Sequence, residues 1–201
     1  MAEIAATRSA ALALTDERAL MRQGYEFLDE KRMLLAAEML RGLSQYEALH
    51  AELVQALTDA QAALRQALLR HGLDGLQAYP PMTPSPAAPR TERSLFLGVP
   101  LLAATLAPAA GTEPPAVDAS PEARFCRAAF VAALPLLTRL AAGSNNLERL
   151  AAEYRRTERR ARALENVLLP EIDSSLATIE GQLELADQEE ALRIRLAGRR
   201  R

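Results

Sequence analysis

The chain has no tryptophan, and only 4% of its 201 residues are aromatic. A core without large rings is thin, so stability must come from a long seam of contacts or from partners. The single cysteine, Cys126, excludes an internal disulfide and a cysteine-rich metal site, and it suits a reducing compartment. A formal net charge of −2 leaves no bulk positive excess with which to hold nucleic acid. The opening Met1-Ala2-Glu3-Ile4 lacks the basic start and apolar core of a signal peptide. The apolar run from Gly98 to Ala110, taken as the longest, is too short to cross a bilayer and contains Pro100 and Pro108. The expectation is a cytoplasmic protein with no nucleic-acid partner and no direct membrane insertion.

Catalytic signatures are also lacking. The sequence has no phosphate-binding G-x-x-x-x-G-K-[ST] and no G-x-G-x-x-G. Neither His50 nor His71 has a cysteine or carboxylate cluster around it at metal-ligand spacing. His71, just before Gly72, reads as a helix-end residue and Cys126 as a packing residue. The expectation is a noncatalytic chain with no cofactor and no metal.

What is present is helix-forming. Apolar residues make up 49% of the chain, mostly alanine and leucine, against 25% charged residues. That balance marks long helices or a coiled coil. Residues 1–72 hold no proline, and their apolar positions recur at three- and four-residue steps in three runs: Met21, Tyr25, Leu28; Leu35, Met39, Leu43, Tyr46; and Leu53, Leu57, Ala60, Leu64, Leu68. This spacing gives one narrow stripe on a helix. Arg70 and His71 suit its carbonyl end, and Gly72 suits the residue after it.

Residues 73–119 hold nine of the chain's twelve prolines and read as a connector. Within it, Ser94-Leu95-Phe96-Leu97-Gly98-Val99 reads as a short strand, half of a small hairpin, confined to an edge by Pro100. Residues 120–201 open with Ser120-Pro121-Glu122, which supplies a cap, a first-turn proline and a charge suited to the helix dipole. Pro135 and Pro170 should kink this helix, and Gly143-Ser144-Asn145-Asn146 should break or bend it. A second stripe follows through Leu164, Leu168, Ile172, Ile179 and Leu183. Two long helices, each with one apolar stripe and a connector able to turn the chain back, should pair antiparallel. The predicted fold is therefore mainly α: a long antiparallel two-helix coiled coil with a proline-rich loop or short β-hairpin in its middle. Its seam would include Met21, Tyr25, Leu28, Leu35, Leu164, Leu168, Ile172, Ile179 and Leu183.

Both ends of the chain carry further patterns. Near the start stand Thr7-Arg8, Leu14, Leu20, Arg22, Gly24, Leu28, Lys31-Arg32 and Leu35. Near the end stand Arg159-Arg160-Ala161-Arg162-Ala163-Leu164-Glu165, then Leu169-Pro170 and Ile179. In this order, around the Leu97-Gly98-Val99-Pro100 segment, they resemble the D subunits of the V/A-type rotary ATPases, a family of central-stalk rotors. Arg162 stands where that family usually has asparagine. The resemblance implies a noncatalytic rotor that carries torque between a catalytic hexamer and the membrane ion-translocating ring. It implies three partners: the catalytic and regulatory subunits of the hexamer, a small F-like stalk subunit, and a socket subunit above the membrane ring. It places Thr7, Arg8, Lys31, Arg32, Arg159, Arg160 and Arg162 at partner contacts. Two other readings remain open at this point, a coiled-coil scaffold unrelated to a motor and a gamma-like shaft of an F-type synthase.

Overall fold

The computed structural model describes residues 7–79, 89–107 and 118–198. Most prolines of the connector, including Pro80, Pro81, Pro114 and Pro115, and the tail Arg199-Arg200-Arg201 lie outside the described residues. The elements in chain order are α1 (Arg8–Gln77), β1 (Arg90–Phe96), β2 (Val99–Thr105), α2 (Pro121–Ala163), a π-helical turn (Leu164–Leu168) and α3 (Leu169–Gly198). The mainly helical fold with a small two-stranded module between long helices is thus present. The chain divides into a terminal unit, Met1–Leu34 with Tyr154–Arg201, and a middle unit, Leu35–Glu153.

In the terminal unit, Leu14 packs with Ile172, Leu176 and Ile179, flanked by Ala10, Ala11, Met21 and Leu183. Arg8 meets Asp187 at 3.2 Å, Arg18 meets Asp173 at 2.7 Å, and Gly24 faces Leu164. Each step forward along α1 is matched by a step back along the C-terminal segment, so the two run antiparallel. Thr157 and Ala161 are also buried here. Small residues at Gly24 and Ala161 let the backbones approach.

The C-terminal helical run is not uniform. Pro170 has no N–H to donate to the carbonyl of Asn166, and its ring crowds that carbonyl. The chain answers with the five-residue π turn, in which the Leu169 N–H donates to the Leu164 carbonyl. The expected kink at Pro170 is therefore a widened turn. The extra residue per turn moves the stripe round the helix, and Leu168, expected in the seam, is exposed. The seam resumes at Ile172.

In the middle unit, Ala63 and Ala67 pack with Cys126, flanked by Leu64 and Leu76. Leu35, Leu53, Ala60, Ala133 and Leu150 are buried as well. Gly42 lies against Leu147, Gly143 against Tyr46, and Arg70 against Glu122, again an antiparallel order. The segment Gly143-Ser144-Asn145-Asn146 does not break the helix, because α2 runs through it without interruption. A Cβ at Gly143 would meet Tyr46 at 3.9 Å, an ordinary contact, so the position neither bends the helix nor requires a glycine. Pro135 likewise lies inside the continuous α2. Gly72 departs from helix with φ 67° and ψ 177°, a backbone open to glycine and strained for any other residue. The long helix is interrupted there, as expected from Gly72. It resumes for a last turn to Gln77.

The strand expected over Ser94–Val99 is in fact the tip of a hairpin. Leu97 and Gly98 both adopt positive φ, 50° and 86°, and form a two-residue turn closing Phe96 against Val99. Paired positive φ values match the right-handed twist of the flanking strands, which makes this a favoured hairpin connection.

Candidate partner-binding surfaces

Of the residues assigned to partner contacts, most lie on the surface of the terminal unit. The Thr7 side chain accepts the Ala10 N–H at 3.2 Å and caps the start of α1. Arg8 spans to Asp187 with both groups exposed, a pair of small energetic weight in water. Arg32 is half-buried and pairs with Asp29 at 2.5 Å, one turn earlier on the same helix. Lys31 is half-buried beside it. The Arg32 charge next to the seam is thus satisfied locally.

Arg159, Arg160 and Arg162 are all exposed on the last turns of α2. Arg162 reaches back to Glu158 at 2.6 Å. They do not form one cluster with Arg8, whose ion pair is on Asp187. Guanidinium groups keep their charge in any surroundings and offer a planar fork to carboxylates, so this turn presents a cationic ridge.

Beside that ridge is a polar contact in the seam. Tyr25 is hydrogen-bonded to Glu165, in the π turn, with the Asp29 charge nearby. The Glu165 charge, reinforced by burial, by Asp29 and by the hydrogen bond to Glu165, raises the Tyr25 phenol above its ordinary value, while Arg32 opposes this. The neutral phenol is therefore the form that bonds the carboxylate.

The middle unit offers a different surface. The β-hairpin is held to α2 by one side chain used twice. Asn146 Oδ1 accepts the Leu102 N–H at 2.8 Å, and Asn146 Nδ2 donates to the Leu102 carbonyl at 2.7 Å. Arg149 adds a bond to the Pro100 carbonyl at 2.9 Å. Asn146 acts as a one-residue strand on the outer edge of β2. The register explains why Pro100 is harmless. It pairs with Leu95 and shares the outward parity of Leu102, so the N–H it lacks would have pointed away from β1. Strand β1 is exposed over Arg90–Leu95. A cleft of about 410 Å³ lies beneath the hairpin, with Tyr46, Leu102, Arg139 and Asn146 among its walls.

At the loop end of the middle unit, His71 sits in a buried polar knot. Its Nε2 is 2.6 Å from Ser120 Oγ and its Nδ1 is 3.4 Å from Asp118. The His71 ring also meets Tyr79 edge-on at 5.6 Å. Tyr79 donates to the Asp118 carbonyl and accepts the Ser120 N–H, while Ser120 Oγ accepts the Ala123 N–H and caps α2. Glu122, in the first turn, is held below the ordinary carboxylate range by its own backbone N–H, with Arg70, Ser120 and His71 assisting against burial. The knot ties the two helix ends together. Its partners are 39 to 52 residues apart in sequence, which is why spacing around His71 gave no sign of it. Asn146 was hidden for a similar reason, since a polar residue after a glycine reads first as a helix breaker.

Among the described residues, no group of three or more His, Cys, Asp or Glu side chains is arranged to hold a metal ion. The features that stand out are surfaces, each built on paired helices.

Comparison with known proteins gives these surfaces a context. The family model for the ATP synthase D subunit matches residues 10–199. The chain is 32% identical over 191 residues to a V-type ATP synthase D subunit of Treponema pallidum, the one numbered 2, covering 92% of this chain and 90% of that one. It is 29% identical over 194 residues to the V-type ATP synthase D subunit of Thermotoga neapolitana, covering 96% and 95%. It is 28% identical over 196 residues to the A-type ATP synthase D subunit of Thermococcus sibiricus, covering 94% and 90%. The match spans both long helical segments and the hairpin between them, and the chain belongs to the ATP synthase D-subunit family, the central-stalk subunits of V/A-type rotary ATPases.

Proposed function

We propose that the chain is a noncatalytic rotor that transmits torque between a catalytic hexamer and a membrane ion-translocating ring, the ATP chemistry lying on partner subunits. The observation that carries this is the antiparallel pairing of the first and last helical segments in the terminal unit, with Arg159, Arg160 and Arg162 exposed on it. A paired, asymmetric element can present a different face to each catalytic interface as it turns and bias that site between open and closed states. The cationic ridge is proposed to meet acidic loops of the catalytic and regulatory subunits. Thr7, Arg8, Lys31 and Arg32 complete the proposed contacts with the catalytic hexamer and the stalk partners.

The hairpin and its cleft are proposed to serve the small F-like stalk subunit, and the end bearing the His71 knot the socket subunit above the ring. The working location is the cytoplasmic face of the membrane, as a peripheral component. One 18-residue window within Pro121–Gly198 reaches a mean hydropathy of 1.5, enough by length and composition alone to span a bilayer. In α2, Cys126 packs on α1 and Ala133 is buried, while the exposed Phe130, Leu134 and Leu137 are proposed as surface for a protein partner rather than for lipid. Family membership favours this reading over an unrelated scaffold or a gamma-like shaft.

Co-purification tests the proposal. A tagged chain should bring down a hexameric ATPase together with a small stalk partner and a socket subunit. Recovery as a stable homo-oligomer without ATPase activity would refute it.

A further inference from the structure

On the terminal unit, α1 carries a second apolar face directed away from its seam. Leu14 and Met21 face the C-terminal segment, and Arg18 is drawn to the same side by Asp173. On the opposite side, Leu20, Phe27 and Leu34 recur seven residues apart and remain 64%, 66% and 44% exposed. Leu12 extends the face at 68%. A seven-residue repeat of large apolar residues is the spacing that receives a further helix. Single exposed leucines need no explanation, but four large apolar side chains along one face of one helix do.

The charges on this face say what fits it. Asp16, Glu26 and Glu30 stand exposed among the apolar residues. Of the basic residues of the same stretch, Arg18 goes to Asp173, Arg32 to Asp29 and Arg22 lies on a flank by helical spacing; Lys31, four residues after Phe27 and three before Leu34, shares the face, where the three carboxylates outnumber it. The face is apolar and acidic. A second copy of the chain would set carboxylates against carboxylates, and an anionic lipid surface would be repelled in the same way. A helix with an apolar stripe rimmed by lysine or arginine is complementary in both respects.

The geometry points to a docking site for one basic amphipathic helix of a partner subunit, seated along Leu12, Leu20, Phe27 and Leu34 with its cations over Asp16, Glu26 and Glu30. This rests on the reading of the chain as a subunit of an assembled complex. It differs from the proposed contact at Arg159 and Arg160 in sign, in position and in the secondary structure of the partner. The two surfaces together would let the terminal unit hold one neighbour by its acidic face and present a cationic ridge to others.

The test is photocross-linking in the intact purified complex, with p-benzoylphenylalanine in place of Phe27 and, separately, of Leu20. Adducts are read by mass spectrometry. Both positions should cross-link to the same segment of one other subunit, a helix bearing lysine or arginine within a turn of the adduct. The exposed double change Glu26→Lys with Glu30→Lys should lower the adduct yield about tenfold, the effect of losing two screened charge contacts. Glu26→Gln with Glu30→Gln should lower it less, and circular dichroism should be unchanged in both. Adducts only to a second copy, to lipid or to an acidic segment would overturn the inference, as would no adduct at all or a yield indifferent to charge reversal. If the chain purifies with the ATPase and yet Phe27 gives no such adduct, the docking site is wrong and the rotor reading stands. If the chain does not purify with the ATPase, both fall.

Discussion

Replacing Asn146 with alanine isolates the attachment of the hairpin. The substitution removes both hydrogen bonds to Leu102 at once and leaves that residue's N–H and carbonyl without their partner. A net hydrogen bond contributes about 1 kcal/mol, and an orphaned buried group costs about 1–3 kcal/mol. These bonds are only part-buried, so water recovers some of the loss, and a local cost of about 2–3 kcal/mol is expected. That corresponds to a roughly 30- to 150-fold rise in the open population of the hairpin. Alanine is a better helix former than asparagine, so α2 itself should not weaken. Hydrogen exchange is the assay, because local opening is what it reports. Amides that bond across the strands, such as those of Leu101, Ala103 and Ser94, should exchange faster by this factor. Amides near Ala63, Ala67 and Ala133 in the helical seam should be unchanged. Unaltered exchange in the hairpin, or a loss of protection spread equally through the seam, would refute the idea that Asn146 is a local clasp.

Other consequences can be checked on the purified chain. Pro170→Ala restores an N–H to the widened turn and should raise helix stability by about 1–3 kcal/mol, read as a higher midpoint in thermal circular dichroism; a lower midpoint would argue that the π turn is required for packing. Gly42→Val should cost about 1–3 kcal/mol, because even a Cβ there would sit 3.1 Å from Leu147; denaturant titration measures it, and a neutral outcome would show that the seam is loose. Burial raises the Cys126 thiol above its ordinary value, so its reaction with a disulfide reagent at mildly alkaline pH should be at least about tenfold slower than in the unfolded chain, and equal rates would contradict the packing assigned to it. Glu122 has a depressed carboxyl value in the folded chain. Its contribution is therefore present above the ordinary glutamate range and lost as pH falls through the folded value. The stability gap between the native chain and Glu122→Gln should narrow on acidification, and a widening gap would reverse the sign.

The parts of the fold that were legible in the sequence are those set by local chemistry. Proline-free stripes of leucine and alanine define a helix by spacing alone, and the Ser120-Pro121 start is a local cap. The parts that were not legible depend on residues distant in sequence or on a change of period. Leu168 left the seam because the π turn inserts a residue that no fixed spacing anticipates. Gly143 reads as a breaker in isolation, whereas beside Tyr46 the helix runs through it without interruption. Ser94 to Val99 reads as one short apolar strand, and only the positive φ values at Leu97 and Gly98 reveal the turn. The arginines proposed as partner contacts were visible as a charge run from the start. What the structure adds is that Arg162 is tied to Glu158 and that Arg159 and Arg160 stand on an exposed turn. Neither fact follows from composition.

The claim that this chain is a turning shaft is tested most directly by locking it. In a Cys126→Ala background, the Arg8→Cys variant would be joined by disulfide to a cysteine introduced on a catalytic subunit in the assembled enzyme. Coupled ATP turnover should stop on oxidation and return on reduction. Turnover that continues unimpaired with the cross-link complete would contradict rotation of this subunit against the ring.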